Sequence, residues 1–283
     1  MTENLQERLA SLGPWYHKIR LPGGQVTPGH DWEPLWENIR KATARADYSG
    51  RRVLDIGSMD GMWAFEAEER GAREVFTVDI SGACADRLLF AREQRQSRVL
   101  PFFNVRVERL TENKASLGEF DIIQHLGVLY HLPDPYVSLS QCRALMRPGG
   151  LLALETACVT NVPMSCMVFN GVMPSDSAEG DGNYWWRVYK GAHPQWAPTL
   201  SCLLEMLLLA GFVPDMASLS LLDQPATGGV NADAPGTRYQ RARVALLARA
   251  AERGEITGEV IGKVLAATPG AMTGSGPGSG PKA

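Results

Sequence analysis

Between residues 53 and 156, short apolar runs alternate with amphipathic stretches in the rhythm of strands and helices. Val53, Leu54 and Ile56 make a run of the kind a parallel strand covered on both faces needs, and it breaks at Gly57. Asp60 can cap a following helix over residues 62–70, which carries Trp63 and Phe65, and Gly71 is its stop. A second apolar strand at 75–78 finishes in an acid, Asp79. Residues 86–96 predict a charged helix, 99–105 a third strand and 120–124 a fourth. A helix over 137–146, closed by an Arg-Pro-Gly-Gly turn, leads to a fifth strand at 151–156 that carries Glu155 near its end. This alternation predicts an α/β fold with a doubly wound, mostly parallel sheet.

On either side the rhythm changes. Residues 5–12 read as a short helix broken at Gly13-Pro14, and residues 15–36 are dense in aromatics, prolines and glycines with no regular period. That stretch reads either as a cover on the sheet edge or as a lid. As a lid, Trp15, Tyr16, Trp32 and Trp36 would shield a bound cation, with His17 and Lys18 giving polar contacts. Residues 32–46 turn helical. After the fifth strand, 157–196 is long, poor in charge and breaks the alternation, so it predicts an insertion over the cleft. The helix at 199–210 is apolar almost all round and must be buried. Strands near 216–222 and 243–247 predict an antiparallel hairpin, with a mobile loop at 224–237 between them. The tail, rich in glycine, serine and proline, is expected to be disordered. The expected organisation is a lid over 1–50, a catalytic domain over 51–250 with a substrate-covering insertion at 157–198, and a helical then disordered tail over 251–283.

Composition narrows the function classes. The 283 residues, 45% of them hydrophobic, suffice for one domain with embellishments. A net charge of −3 disfavours nucleic acid as partner, and Arg51-Arg52 and the clusters at 92–98 and 238–243 read as solvated faces. Five cysteines without a CxxC pair suggest neither a metal centre nor a disulfide framework, and point to a reducing cytosol. With no apolar signal core or membrane-length run, a soluble cytoplasmic protein is expected, and a homo-oligomer stays open.

The turn after the first strand reads Gly57-Ser58-Met59-Asp60-Gly61. A dinucleotide site wants a middle glycine so that the backbone can press against a pyrophosphate. Met59 blocks that approach and Asp60 would set a negative charge near a phosphate. A phosphate-free adenosyl cofactor with a cationic centre suits the turn better, which points to S-adenosylmethionine (SAM), with Asp55 placed to receive its ammonium. Asp79, about 20 residues beyond Gly57, stands where an open sheet holds two ribose hydroxyls. Val107 and Glu108 would flank the adenine.

These motifs resemble the class I SAM-dependent methyltransferases, and more closely the branch containing the tRNA wobble-uridine carboxymethyltransferase. The resemblance rests on VLDIG at 53–57, Asp79, GVLYH at 127–131, RPGGLLALET at 147–156 and ALLAR at 245–249. It implies a Rossmann-like, seven-stranded sheet with the last strand antiparallel. It also implies a cofactor gripped by Trp32, Gly57, Asp79, Ile80, Ser81, Val107, Glu108, Leu126 and Tyr130. In that branch a lysine, a tyrosine and an arginine hold the extra carboxylate of carboxy-SAM, and the resemblance carries those roles to Lys18, Tyr130 and Arg243. The same three could instead bind an acidic acceptor.

For the acceptor, Trp185, Trp186, Arg187, Tyr189 and His193 cluster in the insertion and suggest a small molecule, acidic or aromatic. Methyl transfer needs in-line positioning and exclusion of water, plus a base where the acceptor must lose a proton. His131, beside Tyr130, is the expected base, with His125 and His193 as alternatives. Carboxymethyl transfer to a tRNA uridine or another acceptor, a nicotinamide oxidoreductase and a non-catalytic adenosyl-binding protein remain as alternatives.

Overall fold

A computed structural model of the chain describes residues 5–160, 162–174, 192–223 and 241–268, with the side chains of 170–174 and 192–195 left out of the description. Seven strands form the central sheet: β1 (Arg52–Ile56), β2 (Glu74–Asp79), β3 (Leu100–Phe103), β4 (Phe120–Leu126), β5 (Met146–Val159), β8 (Phe212–Asp223) and β9 (Arg241–Ala250). Their order is β3-β2-β1-β4-β5-β9-β8. β1 to β5 are mutually parallel, and β9 runs antiparallel to both of its neighbours. The order reverses between β1 and β4, the place where an open α/β sheet leaves a crevice at its carboxyl ends.

Alternation along each strand sends side chains to two separate cores. Leu54, Ile56, Phe76, Val78, Ile123 and Leu152 pack beneath α6 (Pro135–Ala144) and α7 (Leu200–Leu209). Val53, Val75, Ile122 and Ala153 face α2 (Glu33–Thr43) and α3 (Met62–Glu69). Thr199 opens α7 by accepting the Cys202 N–H, and Leu203, Leu204 and Leu207 are wholly enclosed, as a helix apolar on most sides requires.

Several local expectations change. Asp60 does not cap α3: Gly61 takes that place at φ 92°, with no side-chain cap. β3 is shorter than its apolar run, because Asn104 turns to φ 60° and ends it. β5 begins at Met146 and takes up the Arg-Pro-Gly-Gly turn, while α6 stops two residues earlier. Part of the insertion folds as a hairpin of β6 (Met167–Pro174) and β7 (Ala192–Pro198), paired from Met167↔Pro198 to Pro174↔Ala192. The expected mobile loop and disordered tail lie outside the described residues.

The N-terminal segment is a packed layer. α1 (Leu5–Ser11) buries Leu9, whose carbonyl accepts the indole N–H of the buried Trp15 at 3.0 Å. The chain then crosses the turn between β1 and α3, where Asp60 is completely enclosed. Asp60 Oδ2 accepts the backbone N–H groups of Tyr16 and His17, and Oδ1 accepts Arg87 Nε of α4 (Ala85–Gln94) at 2.7 Å. One carboxylate therefore ties lid, turn and helix together.

Removing that carboxylate strands a buried guanidinium and two backbone donors, at a cost of about 3 kcal/mol. Asp60→Ala is expected to lower the Tm by roughly 5 °C in thermal denaturation; an unchanged Tm would show that the lid is held elsewhere.

Candidate functional site

A cavity of about 620 Å³ opens between the carboxyl ends of the strands and the N-terminal layer. Such a volume suits a nucleoside-sized ligand. Its floor begins at Gly57, held at φ 68°, where a Cβ would meet Val128 Cγ2 at 2.4 Å, so only glycine fits. Met59 adopts φ 48°, which aims its N–H at Asp79 Oδ2 at 2.9 Å. Asp79 Oδ1 accepts the Ser81 N–H at 2.8 Å. The carboxylate at the tip of β2 is thus fixed from both sides. Burial pushes its pKa up, against the pull of those backbone N–H groups. Asp79, Ile80 and Ser81 line one wall, and Val105, Val107 and Glu108 continue it.

At the other end the wall is built by β4, β5 and β9. Leu126, Gly127, Val128 and His131 line it from the segment after β4. Glu155 and Arg243 meet there as a bidentate pair, Arg243 Nε to Oε1 at 2.6 Å and Nη2 to Oε2 at 2.7 Å. Both are almost wholly buried. Burial works against the Arg243 charge, but Glu155 and the hydrogen-bonded Tyr130 outweigh it and hold its pKa well above the usual value. The guanidinium lies 4.5 Å from the centre of the Tyr130 ring, whose centre is 4.0 Å from that of His131.

The lid supplies the roof through Pro14, Tyr16 and His17, with Leu35, Trp36 and Ile39 of α2 and Trp63 of α3. Burial, reinforced by Tyr130 and only partly offset by Arg243, raises the Tyr16 pKa and keeps the phenol protonated. Burial pushes His17 down to about 4, against the nearby Asp60, so its imidazole is neutral at pH 7. Its Nδ1 has no hydrogen-bond partner among the described residues.

Of the residues singled out in the sequence, the structure gathers Gly57, Asp79, Ile80, Ser81, Val107, Glu108, Leu126, His131 and Arg243 around the cavity, with Tyr130 packed behind. Three stand elsewhere. Lys18 does not line the cavity; its Nζ pairs with Asp31 at 3.2 Å on the surface, because the extended lid turns alternate side chains outward. Trp32 is 40% exposed, its ring tilted against those of Tyr16 and His30 rather than lining the wall. Asp55 is sealed on the face between Thr77 and Gln124, where burial and then Asp79 push its pKa well up. Trp185, Trp186, Arg187 and Tyr189 lie outside the described residues; the backbone of His193 sits on β7 opposite Met173, and its side chain lies outside the description.

Of the alternative bases, His125 is fully enclosed, its Nε2 2.7 Å from Ser138 Oγ, and does not line the cavity. Sequence reasoning gave no function to Glu155 and none to Arg87, which both line the cavity. Glu155 carried one signal, an acid closing an apolar strand.

Among the described residues there is no group of three His, Cys, Asp or Glu that could hold a metal, and no helix long and apolar enough to cross a membrane. What the cavity can do chemically is hold an adenosyl ligand along Val107, Asp79 and Gly57, and present its far end to His131, Tyr16 and the Glu155–Arg243 pair.

Comparison with known proteins gives the family and the fold. A family model described as a methyltransferase domain matches residues 30–215. A tRNA U34 carboxymethyltransferase of Idiomarina loihiensis is 31% identical over 178 residues, covering 60% of this chain and 51% of that protein. A ubiquinone biosynthesis O-methyltransferase of Nitrosococcus oceani is 35% identical over 135 residues, covering 47% and 54% respectively. The chain thus spans about half the length of the curated relatives it matches. Among solved structures, the N-terminal domain of EvdMO1 with S-adenosylhomocysteine (SAH) bound superposes with a TM-score of 0.60 at 18% identity, over 87% of this chain and 95% of that one.

The enclosed His125 has a sharp pH signature. Burial lowers its pKa from 6.5 to about 4, so the unfolded chain takes up the proton first. Stability from the neutral ring is complete above pH 6.5 and is lost as pH falls towards 4. Between pH 7 and pH 5, wild type should lose about 2 kcal/mol more than His125→Gln in urea unfolding. Parallel pH curves for the two proteins would contradict the buried neutral imidazole.

Proposed function

The chain belongs to the methyltransferase-domain family, whose cofactor is SAM, and we propose that it transfers the SAM methyl group to a small-molecule acceptor. The observation that carries this reading is the charge balance at the far end of the cavity. Arg243 is neutralised there by Glu155, His17 is uncharged, and Lys18 is turned to Asp31 outside. A carboxymethyl donor would bring an additional carboxylate to a place without net positive charge, and burying an uncompensated charge is costly. A methyl donor meets no such penalty.

The residues present fit the cofactor. Gly57 allows close backbone approach, Asp79 has lone pairs left for two ribose hydroxyls, and Val107 with Glu108 would flank the adenine. SAM supplies an electrophilic methyl group on a sulfonium. The chain's own part is to position the acceptor, keep water out with the aromatic roof of Tyr16, Trp36 and Trp63, and take a proton where one must leave. His131, which lines the wall, would take that proton. The slight net negative charge of the chain supports a small molecule over a polyanion.

A second reading, carboxymethyl transfer, is favoured by the similarity to the tRNA U34 carboxymethyltransferases and by the contact of Tyr130 with Arg243. Calorimetry separates the two. SAM is expected to bind at least about tenfold more tightly than carboxy-SAM, a difference of about 1.4 kcal/mol; tighter binding of carboxy-SAM would overturn the methyl reading. Asp79→Ala should abolish SAM binding in the same experiment, and retained affinity would refute the ribose role. Against a panel of hydroxylated aromatic acceptors, His131→Ala should lower turnover while SAH affinity stays within a few fold, and an unchanged rate would remove the base assignment.

A further inference from the structure

The amino-acid tail of SAM carries an ammonium that needs an acceptor, and the two carboxylates nearest the glycine turn are unavailable. Asp55 is sealed beneath α3, where it accepts a hydrogen bond from the Ala64 backbone, and does not line the cavity. Asp60 is saturated by Arg87 and by the N–H groups of Tyr16 and His17. Over that turn the roof presents the His17 imidazole to the cavity.

Three observations mark it as a built contact. His17 is 3% exposed and lines the cavity, and its Nδ1 is sealed inside the lid without a partner among the described residues, which leaves the rest of the ring edge to face the cavity. Its backbone is held on both sides, the N–H by Asp60 at 3.0 Å and the carbonyl by the Thr27 hydroxyl at 2.6 Å. Gly29 presses so closely on it that a Cβ would lie 2.1 Å from the His17 carbonyl carbon. The ring is therefore anchored above the turn by groups that its side chain does not share.

We propose that His17 is a cofactor-binding residue whose neutral imidazole accepts a hydrogen bond from the ammonium of the SAM amino-acid tail. The assignment rests on the SAM reading above. A ring that stays uncharged at neutral pH suits the role, since it neither repels the ammonium nor the sulfonium. The strand order agrees: Val107 after β3, Asp79 on β2 and Gly57 after β1 follow one another across the strand tips, and Asp60 in the turn after Gly57 holds the His17 N–H.

The test is calorimetric titration of wild type, His17→Phe and His17→Gln with SAH and with its deaminated analogue, needing no acceptor. SAH should bind His17→Phe about tenfold more weakly than wild type, and His17→Gln, which keeps an accepting oxygen, within about threefold. The deaminated analogue should bind wild type about tenfold more weakly than SAH, and bind His17→Phe as well as it binds wild type. Equal SAH affinity in wild type and His17→Phe overturns the assignment. So does a tenfold loss of the analogue in His17→Phe, which would place the contact away from the ammonium. Should His17→Phe fail to fold, loss of SAH affinity in His17→Gln beyond threefold, or an analogue equal to SAH on wild type, overturns it alone. Absence of SAH binding by wild type would instead remove the cofactor reading on which it rests.

Discussion

The carboxylate of Asp60 is the interaction on which the cavity depends. It is fully buried, and its charge is tolerated because a guanidinium and two backbone N–H groups converge on it. The same contacts bring the lid across the tips of the strands, place Tyr16 and His17 in the roof and draw α4 against the turn. Without that staple the strand tips would form an open crevice of the kind any doubly wound sheet has. With it, they become a roofed site in which electrostatic contacts are stronger than on an open surface.

Charge inside the enclosure is arranged economically. The Glu155–Arg243 pair is costly to desolvate, and its two short parallel hydrogen bonds offset that cost. The result is a rigid, neutral wall, with the Tyr130 ring against the guanidinium and the protonated Tyr16 nearby. Such a wall can orient a ligand through directional hydrogen bonds without adding a net field of its own. The contrast is with Asp79, whose lone pairs are only partly used by Met59 and Ser81 and which keeps acceptor capacity to spare.

Much of the sheet was legible because strand period, glycine breaks and the acid at Asp79 are local signals. The parallel alternation of β1 to β5, the buried α7 and the antiparallel β8–β9 hairpin follow from them. The site was legible where the backbone itself makes it, at Gly57, Asp79 to Ser81, Val107 and Leu126. It was not legible where a side chain's direction decides. In the aperiodic lid a cation at Lys18 looked fit for a ligand, yet the neighbouring His17 is the one turned inward. Asp60 looked like a helix cap or a repulsive charge because its partners at Tyr16, His17 and Arg87 lie far along the chain. Arg243 read as a free cation because its partner, Glu155, sits on another strand. Pairing across tertiary structure, not residue type, set these roles.

On the proposed function, lid and strand tips close on one adenosyl ligand as a unit. Hydrogen exchange with and without SAH tests this most directly. SAH is expected to slow exchange together at residues 15–19 of the lid, at the turn 57–61, at 79–81 and at 126–131. Protection of the strand tips with no change in the lid would contradict it.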